Sequence, residues 1–194
     1  MDVSFDTGNP QDHLRRVWRL CCGCAEAIYG TVPPSPAYAL RTARLLFMTG
    51  AQESGFAWER QRTPRWEGNT GGFSKWQVEP GSIQDSVAWL QRRPGVLERA
   101  TRWLFDDPRA SLDWPGLMGL DGILWAMRLD DNDKIGLLFA RVHYLRVPAP
   151  IPDADEDQAA YYKQFYNTEL GAATVSGTLD SFRRFRGMLA APKP

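Results

Sequence analysis

Gln52-Glu53-Ser54-Gly55-Phe56 sets one carboxylate at the end of an apolar helical pattern. Gly71-Gly72-Phe73-Ser74-Lys75-Trp76-Gln77-Val78-Glu79-Pro80 follows it across a polar loop. The chemistry open to such an acid is proton donation. Ala39, Ala43, Leu46, Gly50 and Glu53 recur at spacings of three and four, so Glu53 continues the face that carries Leu46. An acid on an apolar face is partly desolvated, which disfavours its charged form and raises its pKa. A carboxylic acid still protonated near neutral pH can give its proton to a glycosidic oxygen. The Ser54 hydroxyl is within reach of nearby backbone or of the acid itself, and Gly55 lets the chain leave the helix. Taken alone, Glu53 fits equally an ordinary acidic residue near a helix terminus.

The second segment adds a candidate binding surface. Residues 59–75 are too polar and Gly-rich for a helix and read as an exposed loop. Glycines admit close approach of backbone to a ligand. Gln77 carries both a donor and an acceptor, and Trp76 has a flat face for a sugar ring. The plainer alternative is a structured loop around a buried tryptophan.

Taken in order, the two segments resemble the lytic-transglycosylase branch of the lysozyme superfamily. In that family the catalytic acid sits in a Glu-Ser pair at a helix end, and a Gly-x-x-Gln-x-x-Pro-like turn follows. Glu53-Ser54 matches the first motif. Phe73 to Pro80 matches the second loosely, with Gln77 at the glutamine and Pro80 at the proline. The third motif, Ala-Tyr-Asn-Ala-Gly, is absent, and its nearest counterpart is the helix from Leu137 to Tyr144, where Tyr144 stands in for the tyrosine. The match covers residues 37–147. The wording of Glu53-Ser54-Gly55-Phe56, Arg60-Gln61, Tyr144-Leu145-Arg146-Val147-Pro148, Tyr161-Tyr162-Lys163 and Tyr166-Asn167-Thr168 resembles small phage structural or lysis proteins.

The resemblance implies a mostly α, lysozyme-like single domain of the soluble lytic transglycosylase type, acting on the glycan strand of peptidoglycan without cofactor or metal. It implies that Glu53 protonates the bridging oxygen while the substrate's N-acetyl group assists at the anomeric carbon. Glu53, now a base, then helps a sugar hydroxyl close an anhydro ring. Ser54, Gln77, Trp76 and Tyr144 are the expected substrate-binding residues, with Glu67 in the loop over the cleft. Most glycosidases use two carboxylates, about 5–10 Å apart. Glu59, Glu67 and Glu79 are the nearby candidates for a second one, which would make the reaction a hydrolysis.

The elements that must hold these groups read as helices with punctuation. The first runs from Gln11 to Tyr29, and Pro33-Pro34-Ser35-Pro36 separates it from the Glu53 helix. Ser82 to Gln91 follows with Ser82 or Gly81 as cap, Pro94-Gly95 breaks it, and Val96 to Phe105 resumes. Pro115 opens a segment to Met127. Asp130-Asp131-Asn132-Asp133 lacks the central Gly and terminal Glu of a calcium loop and reads as the cap of a helix from Lys134 to Leu145. Val147 to Pro152 is a stiff extended strap. It leads to a C-terminal helical extension, residues 153–190, packed on the core, whose last helix spans Thr178 to Leu189 with Phe182, Phe185 and Met188 on one face.

Composition narrows the function classes. With 194 residues, one domain with a real core is expected. Lys and Arg number 23 against 23 Asp and Glu, so no global field favours nucleic acid or an anionic membrane. There is no GxGxxG, no GxxxxGK[ST], and no Ser or Cys in a nucleophile motif. Cys21, Cys22 and Cys24 crowd together with no metal-binding complement at the usual spacing, and read as reduced thiols. No stretch approaches a membrane-spanning length, and the acidic start leads to the expectation of no secretory signal. Since peptidoglycan lies outside the cytoplasmic membrane, carriage in a phage virion, with other virion proteins as partners, is the expected route. The alternative from another class is a phage tail or ejection protein that keeps a lysozyme-like fold with little activity.

Overall fold

Proline opens both of the first two helices, where its missing N–H and fixed φ do no harm. Helix α1 spans Pro10–Ala27 behind Asn9, whose side chain accepts from the Gln11 N–H at 2.9 Å. Helix α2 spans Pro36–Glu53 behind Ser35, whose hydroxyl accepts from the Tyr38 N–H at 3.2 Å. The computed structural model describes residues 9–56, 72, 74–105, 133–168 and 171–190. Within these, α3 is Pro80–Gln91, α4 is Pro94–Phe105, α5 is Asp133–Arg146, α6 is Asp155–Tyr162, and α7 is Val175–Ala190. A π turn over Lys163–Asn167 continues α6. The protein is mostly α, and there is no strand among the described residues.

Several boundaries depart from expectation. Helix α3 starts at Pro80 with Glu79 in the cap position and no side-chain cap bond, so neither Gly81 nor Ser82 caps it. Proline at the first position makes an N–H partner there unnecessary, which moved the start earlier than the hydroxyl suggested. Pro94 likewise begins α4 rather than lying outside it. The expected helix from Pro115 to Met127 lies outside the described residues, as do Asp130, Asp131 and Asn132. No described helix is long and apolar enough to cross a membrane.

Helices α1 and α2 pack on each other, and α7 lies along α2. Phe182 and Phe185 of α7 meet Phe47 and Phe56 with ring centroids 6.4 and 5.3 Å apart. The C-terminal helix is therefore part of the core beside Glu53, not an outer appendage. Helix α5 is buried from Gly136 to Val142 without a break, so it is the central helix. Its Arg141 is 1% exposed and donates Nε to the Ile28 carbonyl at 2.9 Å. Arg99 donates to the carbonyls of Tyr29, at 2.7 Å, and Gly30. Helix α1 has no basic residue in its last turn. Two arginines from elsewhere in the chain supply the positive charge and donors that its C-terminal end favours.

The strap is tied down at both ends. Gln158 donates to the carbonyls of Arg41 and Pro152 at 3.0 and 2.9 Å, and Tyr161 donates to the Ala149 carbonyl at 2.9 Å. These bonds deliver α6 and its π turn to the end of α2.

The turn from Ser74 to Gln77 is wedged between α2 and α5 by glycines on both sides. A Cβ at Gly136 would stand 2.4 Å from the Ser74 Oγ, and one at Gly50 would stand 2.5 Å from the Phe56 ring and 3.2 Å from the Trp76 Nε1. Gly136→Ala is expected to destabilise the fold by about 1–3 kcal/mol, because the wedge must shift to admit a methyl group. A lower urea midpoint at unchanged slope would register this, and an unchanged midpoint would show that the turn is loosely held.

Candidate active site

Glu53 is the last residue of α2, and its face carries Ala39, Ala43, Leu46 and Gly50, all buried. The chain then turns away through Ser54, with Gly55 and Phe56 both at φ 59°. Only the first of these is free of a Cβ penalty; Phe56 accepts the strain because its ring is 1% exposed and packs on Phe47 at 4.6 Å.

The Glu53 carboxyl is held from the far end of the sequence. Tyr162 Oη donates to its Oε1 at 2.5 Å. Burial is the dominant influence and pushes the carboxyl up to about 7 from an ordinary 4.5. The negative charge of Glu79 pushes in the same direction, whereas the bond from Tyr162 favours the carboxylate and pulls it down. Desolvation wins, and Glu53 is poised to gain or lose a proton at neutral pH. Tyr162, Tyr144 and Tyr166 are pushed upward by burial and by the Glu53 charge, with the Thr49 bond pulling only Tyr144 the other way, so all three stay protonated.

Those tyrosines form a continuous ring cluster. Tyr162 stacks on Tyr166 at 5.9 Å, and Tyr144 lies 5.4 Å from Tyr166. Tyr166 donates to the Trp76 carbonyl at 2.7 Å, joining the π turn to the 74–77 turn. His143 on α5 meets the Tyr166 ring at 4.9 Å, and its Nε2 donates to the Phe165 carbonyl at 2.6 Å. Burial pushes His143 down, which favours the neutral ring that makes this bond.

Three expected substrate contacts need correction. Ser54 is 5% exposed; its hydroxyl donates to the Lys75 carbonyl at 2.7 Å and accepts from the Phe56 N–H at 3.0 Å. It clasps the acid-bearing helix end to the second motif and has no free face for a ligand. Trp76 is 0% exposed and donates Nε1 to the Leu46 carbonyl at 2.9 Å, so it is core and not a sugar platform. Tyr144 is also buried and bonds Thr49 Oγ1 at 2.7 Å, one helical turn before Glu53. The tyrosine on the acid is Tyr162.

Gln77 sits at φ 48° and folds back so that Nε2 donates to the Ser74 carbonyl at 2.7 Å. Its Oε1 is buried with no partner among the described residues, which leaves an acceptor beside the turn. Gly72 is required here, since a Cβ would fall 2.5 Å from the Gln77 carbonyl oxygen. Glu67 and Glu59 lie outside the described residues. Glu79 is exposed at the start of α3 and is the described carboxylate whose charge acts on Glu53.

Tyr162 was missed as a partner of the acid. The signal available was the density of Tyr161, Tyr162 and Tyr166 in the C-terminal third. The separation of 109 positions between Glu53 and Tyr162 hid the pairing. Among the described residues no group of His, Cys, Asp or Glu is arranged to hold a metal ion. The three cysteines are free thiols, and burial pushes each of them up, away from reactivity. No family model, no curated protein and no solved structure matches this chain.

Proposed function

We propose that this chain cleaves the glycan strand of peptidoglycan, with Glu53 as the proton donor of a lytic-transglycosylase-like site. The observation that carries the reading is a desolvated carboxyl, raised to about 7 and fixed by a tyrosine hydroxyl at 2.5 Å. Such a group holds a proton at working pH and can deliver it to the leaving oxygen between two sugars. The carboxylate produced is then a base matched to the return step, in which a proton leaves the attacking hydroxyl. Tyr162 aids this second role by stabilising the charged form, so it tempers the acid rather than replacing it. A lysozyme-like arrangement of the helices and carriage in a phage particle belong to the same proposal, supported by the Glu53-Ser54 and Phe73 to Pro80 resemblance.

The direction of the pH dependence follows from Glu53. Clearing of purified peptidoglycan is expected to be high below neutrality and to fall as pH rises through about 7, where Glu53 loses its proton. Tyr162→Phe removes a donor to the carboxylate, so its falling limb is expected at higher pH. A limb unmoved by this substitution, or one near the ordinary carboxylate range, would count against Glu53 as the acid.

A further inference from the structure

His143 of α5 meets the π turn at its backbone. Its Nε2 lies 2.6 Å from the Phe165 carbonyl oxygen. A carbonyl can only accept, so Nε2 carries the proton, and in the neutral ring Nδ1 is left as an acceptor. The Ser82 hydroxyl of α3 stands 3.4 Å from that Nδ1. One imidazole thereby joins α3, α5 and the π turn. The chain leaves the turn at Thr168 with φ 60°, and the last carbonyls before such an exit need donors from outside the helix. Lys163 supplies one to the Thr168 carbonyl at 2.6 Å, and His143 supplies the one to Phe165.

The imidazole also packs on a ring that leads to the acid. The His143 and Tyr166 centroids lie 4.9 Å apart with the rings at 61°, and Tyr166 stacks on Tyr162 at 5.9 Å and 23°. The Tyr166 hydroxyl is fixed at the Trp76 carbonyl, 2.7 Å away. Tyr162 in turn donates to the Glu53 Oε1 at 2.5 Å. Every link from His143 to Glu53 is thus a direct contact. His143 touches the turn twice, at a carbonyl and at a ring, and that ring is the one backing Tyr162.

We propose that His143 is a positioning residue for Glu53, holding the π turn against α5 so that the Tyr162 hydroxyl stays on the carboxyl. Without the Nε2 bond the turn gains freedom, Tyr166 loses its edge contact, and the Tyr162 hydroxyl spends less time at bonding distance. A hydrogen bond to the charged form favours that form, so weakening it raises the proton affinity of Glu53. The titratable groups facing Glu53 are Tyr162 of α6, Tyr166 of the π turn, Tyr144 of α5 and Glu79 before α3. Those facing His143 are Tyr144, Tyr166 and Arg146, the last paired with Asp85 of α3 at 3.3 Å. Burial pushes His143 below its ordinary 6.5, so it is neutral where Glu53 loses its proton and acts by position, not charge. The effect on catalysis rests on the glycan-cleavage reading, whereas the effect on Glu53 itself does not.

The test is an NMR titration of the Glu53 carboxyl in the full chain, labelled with carbon-13 glutamate and assigned with Glu53→Gln. Tyr162→Phe is expected to raise the Glu53 midpoint by roughly one pH unit, and His143→Leu by roughly half a unit. In the double variant the His143→Leu shift should vanish, because the donor it positions is already gone. His143→Gln places an amide N–H where Nε2 stood and is expected to titrate close to wild type. Should His143→Leu fail to fold, His143→Asn, whose amide is too short to reach the Phe165 carbonyl, takes its place with the same expectation. A merely structural role would lower the urea midpoint and leave the Glu53 titration unmoved. An unmoved midpoint in either single variant, a lowered one in His143→Leu, an equal shift in His143→Gln, or additive shifts in the double variant would overturn the proposal. A raised midpoint that His143→Gln restores, in a chain that leaves peptidoglycan intact, would uphold it and remove the cleavage reading alone.

Discussion

Glu53→Gln is expected to melt at a higher temperature than the wild-type chain at pH 8, by roughly 6–12 °C, and to match it near pH 4. The sign follows from linkage. The folded Glu53 binds its proton more tightly than the unfolded one, with midpoints of about 7 and 4.5. A group raised in this way contributes stability that is fully present below the unfolded value and is lost as pH rises through the folded value. At pH 8 the wild type must therefore hold an ionised, desolvated carboxylate, at a cost of about 3 kcal/mol. Glutamine has no charge to bury, and its Oε1 still accepts from Tyr162. Differential scanning calorimetry of both chains from pH 4 to pH 8 would trace the gap opening. Identical melting at every pH would mean that Glu53 is not desolvated in the native state, and the site would lose its basis. A stabilising substitution that removes activity is the usual mark of a functional residue held in an unfavourable setting.

The second large effect lies behind the 74–77 turn. Lys75 is 5% exposed, and its ammonium meets Asp133 at 2.6 Å, with Arg16 of α1 reaching the same carboxylate at 3.3 Å. The pair fastens the second motif to the first residue of α5. Asp133→Asn removes the anion while leaving a lysine charge inside the fold, and is expected to destabilise by about 3 kcal/mol. Replacing both partners, Lys75→Met with Asp133→Leu, should recover most of that loss, since the desolvation of two ions disappears with their attraction. Urea unfolding of the single and double variants checks this. A double variant no more stable than the single would show that the pair contributes more than the desolvation argument allows. Because Ser54 bonds the Lys75 carbonyl, the single variant should also loosen the end of α2.

The acid was legible in the sequence because its evidence is local. The spacing of Ala39, Ala43, Leu46 and Gly50 sets the face of Glu53, and the same run sets its burial. Helices α1 and α2 were read to within a residue or two of their bounds, and the Asn9 and Ser35 caps are what the structure adds. Helix α3 was read two residues short because Ser82 offered a hydroxyl cap, while Pro80 had already set the first turn.

What surrounds the acid depends on contacts that no local pattern encodes. Trp76 offers the same residue type whether it lines a cleft or fills a core. The glycines at 50 and 136, far from it in sequence, make the slot that buries it. Tyr144 precedes Tyr162 and sits on a helix with the right composition, yet its hydroxyl reaches only Thr49. The π turn over Lys163–Asn167 defeats a count by a 3.6-residue helical period. Ser54 and Gln77 belong to the motifs that named them, but the Ser54 hydroxyl and the Gln77 amide nitrogen are directed at backbone.

The central claim is that Glu53 protonates a glycosidic oxygen of peptidoglycan. Its most direct test is digestion of purified peptidoglycan by the wild-type chain beside folded Glu53→Gln, with the products read by mass spectrometry. The account predicts anhydro-muramyl ends from the wild type and an intact polymer with Glu53→Gln. Reducing ends that still depend on Glu53 would keep the acid and turn the reaction into a hydrolysis with a second carboxylate. Equal cleavage by both chains, or none by either, would contradict it.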